Sequence, residues 1–413
     1  MMEVAVTGIG MVCPVGLGKA ESWNNMLKGK SGIRKITRFD ASECITKIAG
    51  EIPDGYFELE RRLLPRRLLK RLLLPSRLAI VVAGEALMDA GFPAEALAST
   101  GTGVITGCGG STPGDQFLFG VKGARFPASP VEMCHTIADS VSAYYDLEGP
   151  AFNVAAACAS GAFAVGAAVD YVRTHGEACL AIGLDTMVTK ETIDGFNRLL
   201  ALTEQNDPPE KASRPFDRRR SGFVVSEAAC AILLEPGETA FKRGASIYAL
   251  VPGHAMTAES FNIIAPEPEG ERIAETMLAG LDAAGIRPEE IGYISAHGTS
   301  TVYNDLAETK GIHRVFGERA RRIPVSSQKS MLGHSIGGAG AIEFAVTALT
   351  LFHQMITPTI NYDEPDPGCD LDYVPNKARP VFDLQVAMTN SFGFGGQNST
   401  IILKRPGGNL ARV

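Results

Sequence analysis

Short runs of apolar residues, each bounded by glycine or polar residues, alternate with longer stretches of helical character in the first part of the chain. The helical stretches cover residues 77–90 and 162–173. The apolar runs predict strands, since buried strands read as continuous apolar segments. These runs are residues 4–7, 103–106, 152–156, 179–183 and 229–234. The alternation predicts an α/β fold whose sheets are largely buried.

A second series of the same kind fills the rest of the chain. Its predicted strands are residues 247–251, 293–296, 324–327, 386–390 and 399–403. A helix rich in small residues, 337–349, takes the place in this series that the 162–173 helix takes in the first. We therefore expect a duplicated fold that divides near Ala245 into two interlocked halves, residues 1–245 and 246–413.

The composition agrees with a cytoplasmic α/β protein that buries a large core. The chain has 413 residues, of which 45% are hydrophobic, and its formal net charge is −7. Its eight cysteines are scattered without paired spacing, which predicts free thiols in a reducing compartment. The N-terminal segment is typical of a first strand rather than a signal peptide. No apolar run approaches the roughly 18 residues of a membrane span, so we expect no membrane segment.

Cys158 lies where an apolar, strand-like run meets a helix of small residues, 161–168. This placement puts its sulfur at a helix N-terminus, where free N–H groups and the helix dipole favour thiolate over thiol. A thiolate is the form that attacks a carbonyl carbon. Free cysteine is also a common buried residue. The segment alone therefore leaves a nucleophile and a structural cysteine equally open.

Two of the seven histidines have similar surroundings. His297 ends a strand-like run before a glycine and threonine turn, and His334 stands just before the small-residue helix 337–349. A lone histidine is usually a hydrogen-bonded core or surface residue. Strand ends beside glycine-rich turns are, however, where α/β proteins place their chemistry. A cysteine and two histidines in such places favour a catalytic site.

The segment 392–398 carries glycines at alternate positions. Glycine lets the backbone approach a ligand closely, and free N–H groups there could form an oxyanion hole. The alternative is a glycine-rich turn between two strands, since residues 400–403 form another apolar run. The sequence has no CxxC pair, HExxH or P-loop motif, so we predict no metal and no tightly bound cofactor.

Taken in order, these motifs resemble those of the elongating β-ketoacyl-[acyl carrier protein] synthases of the thiolase superfamily. The matching segments cover nearly the whole chain: residues 6–10, Cys158, 214–217, the His297 motif, the Lys329 and His334 motif, and 392–398. The resemblance implies a thiolase-like five-layer αβαβα fold with the site between the two halves. It also implies a decarboxylative Claisen condensation of an acyl chain, held on Cys158, with malonyl-acyl carrier protein.

The same resemblance implies a role for each matching residue. His297 and His334 would stabilise the enolate that decarboxylation leaves, and Lys329 with Glu308 would form a supporting charged pair. The backbone N–H groups of Cys158 and Phe394 would form the oxyanion hole, with the Phe394 ring as a gate to the acyl pocket. The residues implied in substrate binding, including the phosphopantetheine arm of the carrier protein, are Thr299, Thr301, Phe392, Gly393 and Gly395.

Elementary chemistry supports these roles. A thioester enolate is too basic to form freely at neutral pH, whereas loss of CO2 generates the carbanion without a strong base. The enzyme must then supply positive potential at the developing oxyanion. Two neutral imidazoles that donate from Nε2–H supply it, each donor contributing roughly 2.7–4 kcal/mol.

A cationic segment stands out against the negative net charge. Residues 61–77 contain no acidic residue. A solvated helix face is the simple explanation, and nucleic acid is not indicated without interleaved aromatic residues. An acidic protein partner fits better, because opposite charge steers association. The resemblance implies that this surface docks the acyl carrier protein, with these residues: Arg61, Arg62, Arg66, Arg67, Lys70, Arg71, Lys122 and Arg125.

Several positions depart from the family's usual residues. Ser221 and Ser226 stand where aspartate and glycine are common, and Gln397 where threonine is frequent. Cys108 occupies a position that resembles the acyl-pocket wall at a dimer interface. These departures leave the acyl substrate open and favour type II polyketide or polyene synthesis over housekeeping fatty-acid synthesis, although the sequence does not decide the pathway.

Two other functions are alternatives to condensation: a thiolase and a chain-length partner subunit. A thiolase that uses coenzyme A would carry a second catalytic cysteine in a C-terminal C-x-G turn, where this chain has Phe394. A chain-length partner subunit would keep the fold but lack the nucleophile, whereas Cys158 is present. We expect a dimer, either a homodimer or a heterodimer with a chain-length subunit.

Overall fold

The computed structural model describes residues 2–92, 101–110, 133 and 135–407. Within these residues the strands are β1 Val4–Val12, β2 Arg34–Lys35, β3 Ile48–Ala49, β4 Gly103–Gly107, β5 Ala151–Val154, β6 Cys179–Asp185, β7 Ala228–Pro236, β8 Ala249–Ala258, β9 Tyr293–Ser295, β10 Val325–Ser326, β11 Met355–Ile356, β12 Arg379–Pro380, β13 Val386–Gly393 and β14 Gln397–Lys404. The ten strands predicted from apolar runs are all present, with shifted ends.

The helices of the described residues are α1 Lys19–Leu27, α2 Gly55–Leu63, α3 Arg66–Arg71, α4 Leu74–Asp89, α5 Thr136–Tyr145, α6 Ser160–His175, α7 Lys190–Arg198, α8 Gly237–Lys242, α9 Glu271–Ala284, α10 Val302–Phe316, α11 Lys329–Leu332 and α12 Ala339–His353. Three short 3-10 turns matter for the site: Ala157–Ala159 before α6, Ile336–Gly338 before α12, and Phe394–Gly396 between β13 and β14.

Ten strands form one sheet in the order β10-β9-β13-β14-β8-β1-β7-β6-β4-β5. From the central β1–β8 pair outward, the strand order is β1-β7-β6-β4-β5 in one half-sheet and β8-β14-β13-β9-β10 in the other. Strands that come at the same place in the chain order of each half therefore take the same position in each half-sheet. In both halves the two outer pairings are parallel and the two inner pairings are antiparallel. The predicted duplication is therefore confirmed in the topology. The second half of the fold begins between α8, which ends at Lys242, and β8, which starts at Ala249. The exact division near Ala245 stays a prediction.

Helices complete five layers around the two half-sheets. Helices α6 and α12 pack on each other and against strands of both halves, which makes them the central layer. Helices α4 and α5 cover the outer face of the first half-sheet, while α9 covers that of the second and packs on α10. The thiolase-like αβαβα fold implied by the sequence is thus confirmed.

Glycine makes the close approach of the two central helices possible. A Cβ at Gly161 would lie 2.6 Å from the Gly337 carbonyl oxygen, and one at Gly340 would lie 2.7 Å from the Ala162 nitrogen. Both distances are too short for any larger residue. The small residues of these two helices therefore allow them to pack closely. This packing brings the turn Ala157–Ala159, which contains Cys158, next to the start of α12.

The central position of α12 also explains an apolar stretch. Among the described residues, Ile336–His353 is long and apolar enough by composition to cross a membrane, which contradicts the expectation that no run approaches that length. It is 89% buried inside the fold, however, as expected for the core helix of a five-layer protein.

Candidate active site

Cys158 lies in the turn Ala157–Ala159, between β5 and α6. The turn is sharp, since Ala157 has a φ of +46°, a region that residues other than glycine rarely adopt. Ser160 holds it: its hydroxyl donates to the Ala157 carbonyl at 2.7 Å and accepts from the Ala156 N–H at 2.8 Å. The strand-to-helix elbow predicted from the sequence is therefore present, and Cys158 is only 4% exposed.

The predicted preference of Cys158 for the thiolate is wrong. Burial raises the pKa of Cys158 to about 11, and this effect outweighs the lowering by the Phe394 N–H and the Lys329 charge. Desolvation disfavours the charged form of a buried thiol. Cys158 is therefore a thiol at neutral pH.

His297 and His334 lie side by side and are both buried. Their rings meet edge to face, with centroids 5.4 Å apart and planes at 84°. Burial, together with the nearby Lys329 charge, holds the pKa of each histidine well below its usual value of 6.5. Both imidazoles are therefore neutral, which is the state that the sequence argument required.

The backbone of His334 is fixed while its ring is free to react. Its N–H donates to the Val224 carbonyl at 2.7 Å, and its carbonyl accepts from the Ser226 N–H at 3.0 Å. Neither ring nitrogen has a hydrogen-bond partner within the described part of the chain. The Phe223 ring packs edge to face on the imidazole at 5.2 Å. Sequence reasoning did not identify Phe223.

Lys329 determines the tautomer of His297. Its Nζ donates to the His297 carbonyl at 2.6 Å and lies 3.4 Å from His297 Nδ1. An ammonium group can only donate, so Nδ1 accepts and the proton of the neutral imidazole is on Nε2. His297 therefore presents an N–H donor on the ring edge away from Lys329.

The partner of Lys329 is Glu343, not the predicted Glu308. The Lys329 ammonium donates to Glu343 Oε1, and both side chains are 2% exposed. Glu308 instead accepts the backbone N–H groups of His297 and Gly298, each at 2.8 Å, and burial raises its pKa to about 7. Glu308 thus fixes the backbone at His297 and Gly298, and Glu343 is the counter-ion of Lys329. A single carboxylate within the apolar helix α12 was the signal for Glu343 in the sequence.

The glycine-rich turn after β13 closes against the cysteine elbow. The backbone N–H groups of Phe394 and of Cys158 both point at the Cys158 sulfur. A Cβ on Gly393 would lie 2.8 Å from the Ala156 carbonyl oxygen, so this contact requires glycine. Gly395 has a φ of +77°, which also favours glycine. The turn therefore places two backbone N–H donors beside the Cys158 sulfur.

Thr299 and Thr301 form a polar pair on the other side of the site. Their hydroxyl oxygens are 2.8 Å apart, and Thr301 caps α10 by accepting from the Asn304 N–H. Asp305 accepts the Thr299 N–H at 3.0 Å, and Arg220 lies beside that carboxylate at 3.6 Å. The pair is thus held by the first turn of a helix and lines the cavity.

A cavity of about 440 Å³ joins these groups. Lys329 and Glu308 do not line it and lie behind the histidines. The predicted residues that it brings together are Cys158, His297, His334, Thr299, Thr301, Phe392, Gly393, Phe394 and Gly395. Asn398, the last residue of the predicted segment 392–398, lines it as well, and lining residues that the sequence did not indicate include Leu199, Leu200, Phe223, Glu259, Asn262, Ile264 and Tyr303.

Cys108 does not line this cavity. Its thiol lies 3.4 Å from Asp185 Oδ1, and its side chain packs in the core cluster that includes residues of α4 and α5. The structure therefore gives no support to the expectation that Cys108 forms the acyl-pocket wall.

The cationic segment forms an exposed corner. Helix α3 and the last turn of α2 carry its arginines and lysine, and Arg77 is set apart because it pairs with Glu60 at 3.1 Å. Lys122 and Arg125 lie outside the described residues. None of the remaining six forms an ion pair within the part of the chain that the structure describes. We call these six the cationic patch: Arg61, Arg62, Arg66, Arg67, Lys70 and Arg71.

A duplicated thiolase-type fold that brings a cysteine and two neutral histidines into one cavity defines a condensing enzyme. The chain matches the β-ketoacyl synthase N-terminal domain over residues 1–240 and the C-terminal domain over residues 248–363. It therefore belongs to the β-ketoacyl synthase family, as the order of its motifs predicted.

Relatives and solved structures agree with this assignment. The chain is 38% identical over 411 residues to 3-oxoacyl-[acyl-carrier-protein] synthase 2 of Coxiella burnetii (strain RSA 493 / Nine Mile phase I), covering 98% of each protein. The ishigamide ketosynthase/chain length factor superposes with a TM-score of 0.87 at 33% identity, covering 98% of this chain and 100% of the other. A type II polyketide ketosynthase in complex with its acyl-carrier protein gives 0.85 at 31% identity, with the same coverage.

Proposed function

We propose that this chain condenses an acyl group, held as a thioester on Cys158, with malonyl-acyl carrier protein in fatty-acid or polyketide synthesis. One observation carries the proposal. A buried cysteine, two neutral histidines and a pair of backbone N–H groups face a single cavity. That set matches the two demands of the reaction, a nucleophile with an oxyanion hole and a pair of donors for an enolate.

Acyl transfer comes first. The acyl group arrives as a thioester on the phosphopantetheine arm of the carrier protein, and the Cys158 sulfur attacks its carbonyl carbon. A neutral imidazole of the cavity takes the thiol proton, since the pKa of Cys158 lies near 11. The N–H groups of Cys158 and Phe394 stabilise the oxyanion. The phosphopantetheine sulfur leaves and takes up the proton, which leaves acyl-Cys158.

Decarboxylation follows when the malonyl thioester occupies the cavity. The bond to the carboxylate breaks, CO2 leaves, and the electron pair forms an enolate whose oxygen accepts N–H donors from His297 and His334. The enolate carbon then attacks the acyl-Cys158 carbonyl, and the same oxyanion hole stabilises the tetrahedral intermediate. The intermediate expels the Cys158 thiolate, which takes up one proton from solvent water. The product is the β-ketoacyl group on the carrier protein.

The carrier protein and the compartment complete the proposal. Thr299 and Thr301 hydrogen-bond the amides of the phosphopantetheine arm, and the cationic patch docks the acidic carrier. No disulfide joins the cysteines that the structure describes to one another, which supports the cytoplasm as the site of action. We propose a dimer, since a solved relative is a ketosynthase with a chain length factor. The proposed reaction uses the phosphopantetheine arm of the carrier protein and no tightly bound cofactor.

A thiolase-type mechanism is less well supported. Within the described lining of the cavity, Cys158 is the one cysteine. Cys369, the alternative second cysteine, is buried with its sulfur 3.8 Å from the Asp305 carbonyl oxygen, behind the Thr299 turn.

Incubation with an acyl-acyl carrier protein should add the mass of one acyl group to the protein. Intact-mass analysis measures the gain, and peptide mapping should place it on Cys158, because that sulfur alone among the described cysteines faces the cavity. The Cys369→Ser variant is the matched control and should be acylated like the wild type. An acyl group found on Cys369 would contradict the proposed function.

The pH dependence of acylation tests which group removes the thiol proton. The rate should stay level between pH 6.5 and 9.0, because the pKa of both histidines lies below this range and that of Cys158 above it. A neutral imidazole is then available throughout. A rate that instead climbs about tenfold per pH unit would show attack by a preformed thiolate without a base. Quenched-flow acylation followed by mass analysis distinguishes the two.

A further inference from the structure

The turn Ile336–Gly338 repeats, in the second half of the fold, the geometry of the turn that carries Cys158. Each is a single 3-10 turn directly before a central helix, α12 in one case and α6 in the other. Each also begins with a left-handed residue, since φ is +46° at Ala157 and +45° at Ile336. The second residue is Cys158 in one turn and Gly337 in the other. Gly337 is therefore the positional counterpart of the nucleophile in the duplicated fold.

Asp185 is the group that the Gly337 turn meets. The Cys158 turn receives the Phe394 N–H from the segment after β13. Asp185 ends β6, the strand that takes the place of β13 in the other half-sheet. Its side chain is fully buried, and Oδ2 accepts the N–H groups of Gly337 at 2.7 Å and of Gly109 at 3.3 Å. Hydrogen bonds to an ionised acceptor are strong, so Asp185 ties the segment after β4 to the start of α12.

The two glycines that Asp185 ties together lie against the turn of the nucleophile. A Cβ on Gly109 would be 3.6 Å from the Ala157 carbonyl oxygen and 3.4 Å from Ile336 Cγ2, so Gly109 lies between the two turns. The left-handed backbone of Ala157 and Ile336 is strained, and it persists only where its neighbours hold it. Because Asp185 fixes Gly109 and Gly337, it fixes the neighbours of both strained residues. Asp185 itself is not among the described residues that line the cavity.

We propose that Asp185 is a positioning residue for acyl transfer: it joins Gly109 to Gly337 and so keeps the Cys158 sulfur turned toward the acyl carbonyl. The inference rests on the proposed function, in which that sulfur accepts the acyl group. Decarboxylation does not depend on this tie. It uses the two imidazoles, and the backbone of His334 is held separately by hydrogen bonds to the segment before β7.

The charge of Asp185 has a second effect, on the reactivity of the thiol. Burial is the main cause of the raised pKa of Cys158, and the negative charge of Asp185 raises it further, whereas the Lys329 charge lowers it. Loss of the Asp185 charge should therefore lower the pKa of the thiol and increase the thiolate fraction at neutral pH. A residue that only supported the fold would leave this pKa unchanged. Position and charge can be separated, because asparagine keeps an oxygen acceptor without the charge.

The test compares Asp185→Asn with Asp185→Ala. Both backbone N–H groups use Oδ2, so the asparagine oxygen can accept them while its NH2 group faces the Cys108 sulfur, a weak acceptor. In Asp185→Asn, Cys158 should be acylated near the wild-type rate and alkylated by iodoacetamide faster than in the wild type. Asp185→Ala loses the tie and should slow acylation about tenfold or more with an unchanged KM, because a misplaced reacting group is costly. Release of CO2 from malonyl-acyl carrier protein should continue in both variants.

Quenched-flow acylation with mass analysis measures the first rate, and peptide mapping of the alkylated protein assigns the label to Cys158. Glu85→Gln is the matched control. The Glu85 carboxylate also accepts two backbone N–H groups, from Met11 and Lys19, and lies outside the described lining of the cavity, so its replacement should change neither rate. If Asp185→Ala gives no folded protein, Asp185→Ser takes its place, since the shorter side chain moves the oxygen away from both N–H groups.

Acylation near the wild-type rate in Asp185→Ala would overturn the proposal and leave the proposed function intact. Equal losses of acylation, decarboxylation and Tm would also overturn it, because Asp185 would then support only the fold. An unchanged alkylation rate in Asp185→Asn would show that the carboxylate does not act on the Cys158 sulfur, with the same consequence. A wild type that gains no acyl mass from acyl-acyl carrier protein would instead overturn the proposed function.

Discussion

Replacement of Cys158 by alanine should abolish condensation while decarboxylation of malonyl-acyl carrier protein continues. The two half-reactions use different groups: acyl transfer needs the sulfur, whereas the enolate needs only the imidazole donors. The fold should persist, because alanine is the residue on either side of Cys158 in the elbow. Intact-mass analysis should find no acylated protein, and release of CO2 from malonyl-acyl carrier protein should remain measurable. Loss of both activities together would contradict this division of labour.

The complementary variants are His297→Ala and His334→Ala. Each removes one N–H donor from the developing enolate and should slow decarboxylation by about 10²–10³-fold. His334→Ala should also slow acylation of Cys158 if His334 is the group that takes the thiol proton, since both its ring nitrogens are free of partners among the described residues. His297→Ala should affect acylation less, because its Nδ1 faces Lys329. An unimpaired decarboxylation rate in both variants would refute the assignment.

Apolar periodicity was enough to predict the ten strands of the large sheet and the duplication, because buried strands are marked by their composition alone. The ends of the strands were less predictable. Strand β1 continues through Gly8 and Gly10 to Val12, beyond the predicted run of residues 4–7. In the structure these glycines let helix α4 lie against the strand, since a Cβ at Gly10 would be 2.0 Å from the Val82 carbonyl oxygen. Close packing between distant segments has no local signal.

The site shows the same limit. Cys158 and His297 could be found because each follows the end of a strand beside a turn, and His334 because it precedes a helix of small residues; the strand end expected next to His334 is wrong, since the short helix α11 lies between β10 and His334. The pKa of Cys158 could not be predicted from the sequence, because burial raises it and the extent of burial depends on every element around the turn Ala157–Ala159. The pairing of Lys329 was also hidden. Glu308 and Glu343 are both buried carboxylates, and only their positions in three dimensions decide which one meets the ammonium.

Loss of the Lys329–Glu343 pair should lower both the stability of the protein and its rate of decarboxylation. Lys329→Met removes the donor to His297 Nδ1 and leaves the Glu343 carboxylate buried without its counter-ion. Breaking a buried pair in this way costs about 3–5 kcal/mol, so the free energy of unfolding and the Tm should both fall. Decarboxylation should drop by about 10²-fold, since His297 is no longer restricted to the tautomer that donates from Nε2. Chemical denaturation and CO2 release measure the two effects.

The double variant Lys329→Met with Glu343→Met separates stability from chemistry. Replacing both members of a buried pair by apolar residues of similar volume is often neutral or stabilising, so the double variant should regain most of the lost stability. It should not regain decarboxylation, because the donor to His297 Nδ1 is still missing. Acylation of Cys158 should be close to that of the wild type in the same protein, because its oxyanion hole is made of backbone N–H groups. If decarboxylation returned together with stability, the lysine would serve only to hold the fold, and His297 would take its tautomer from another source.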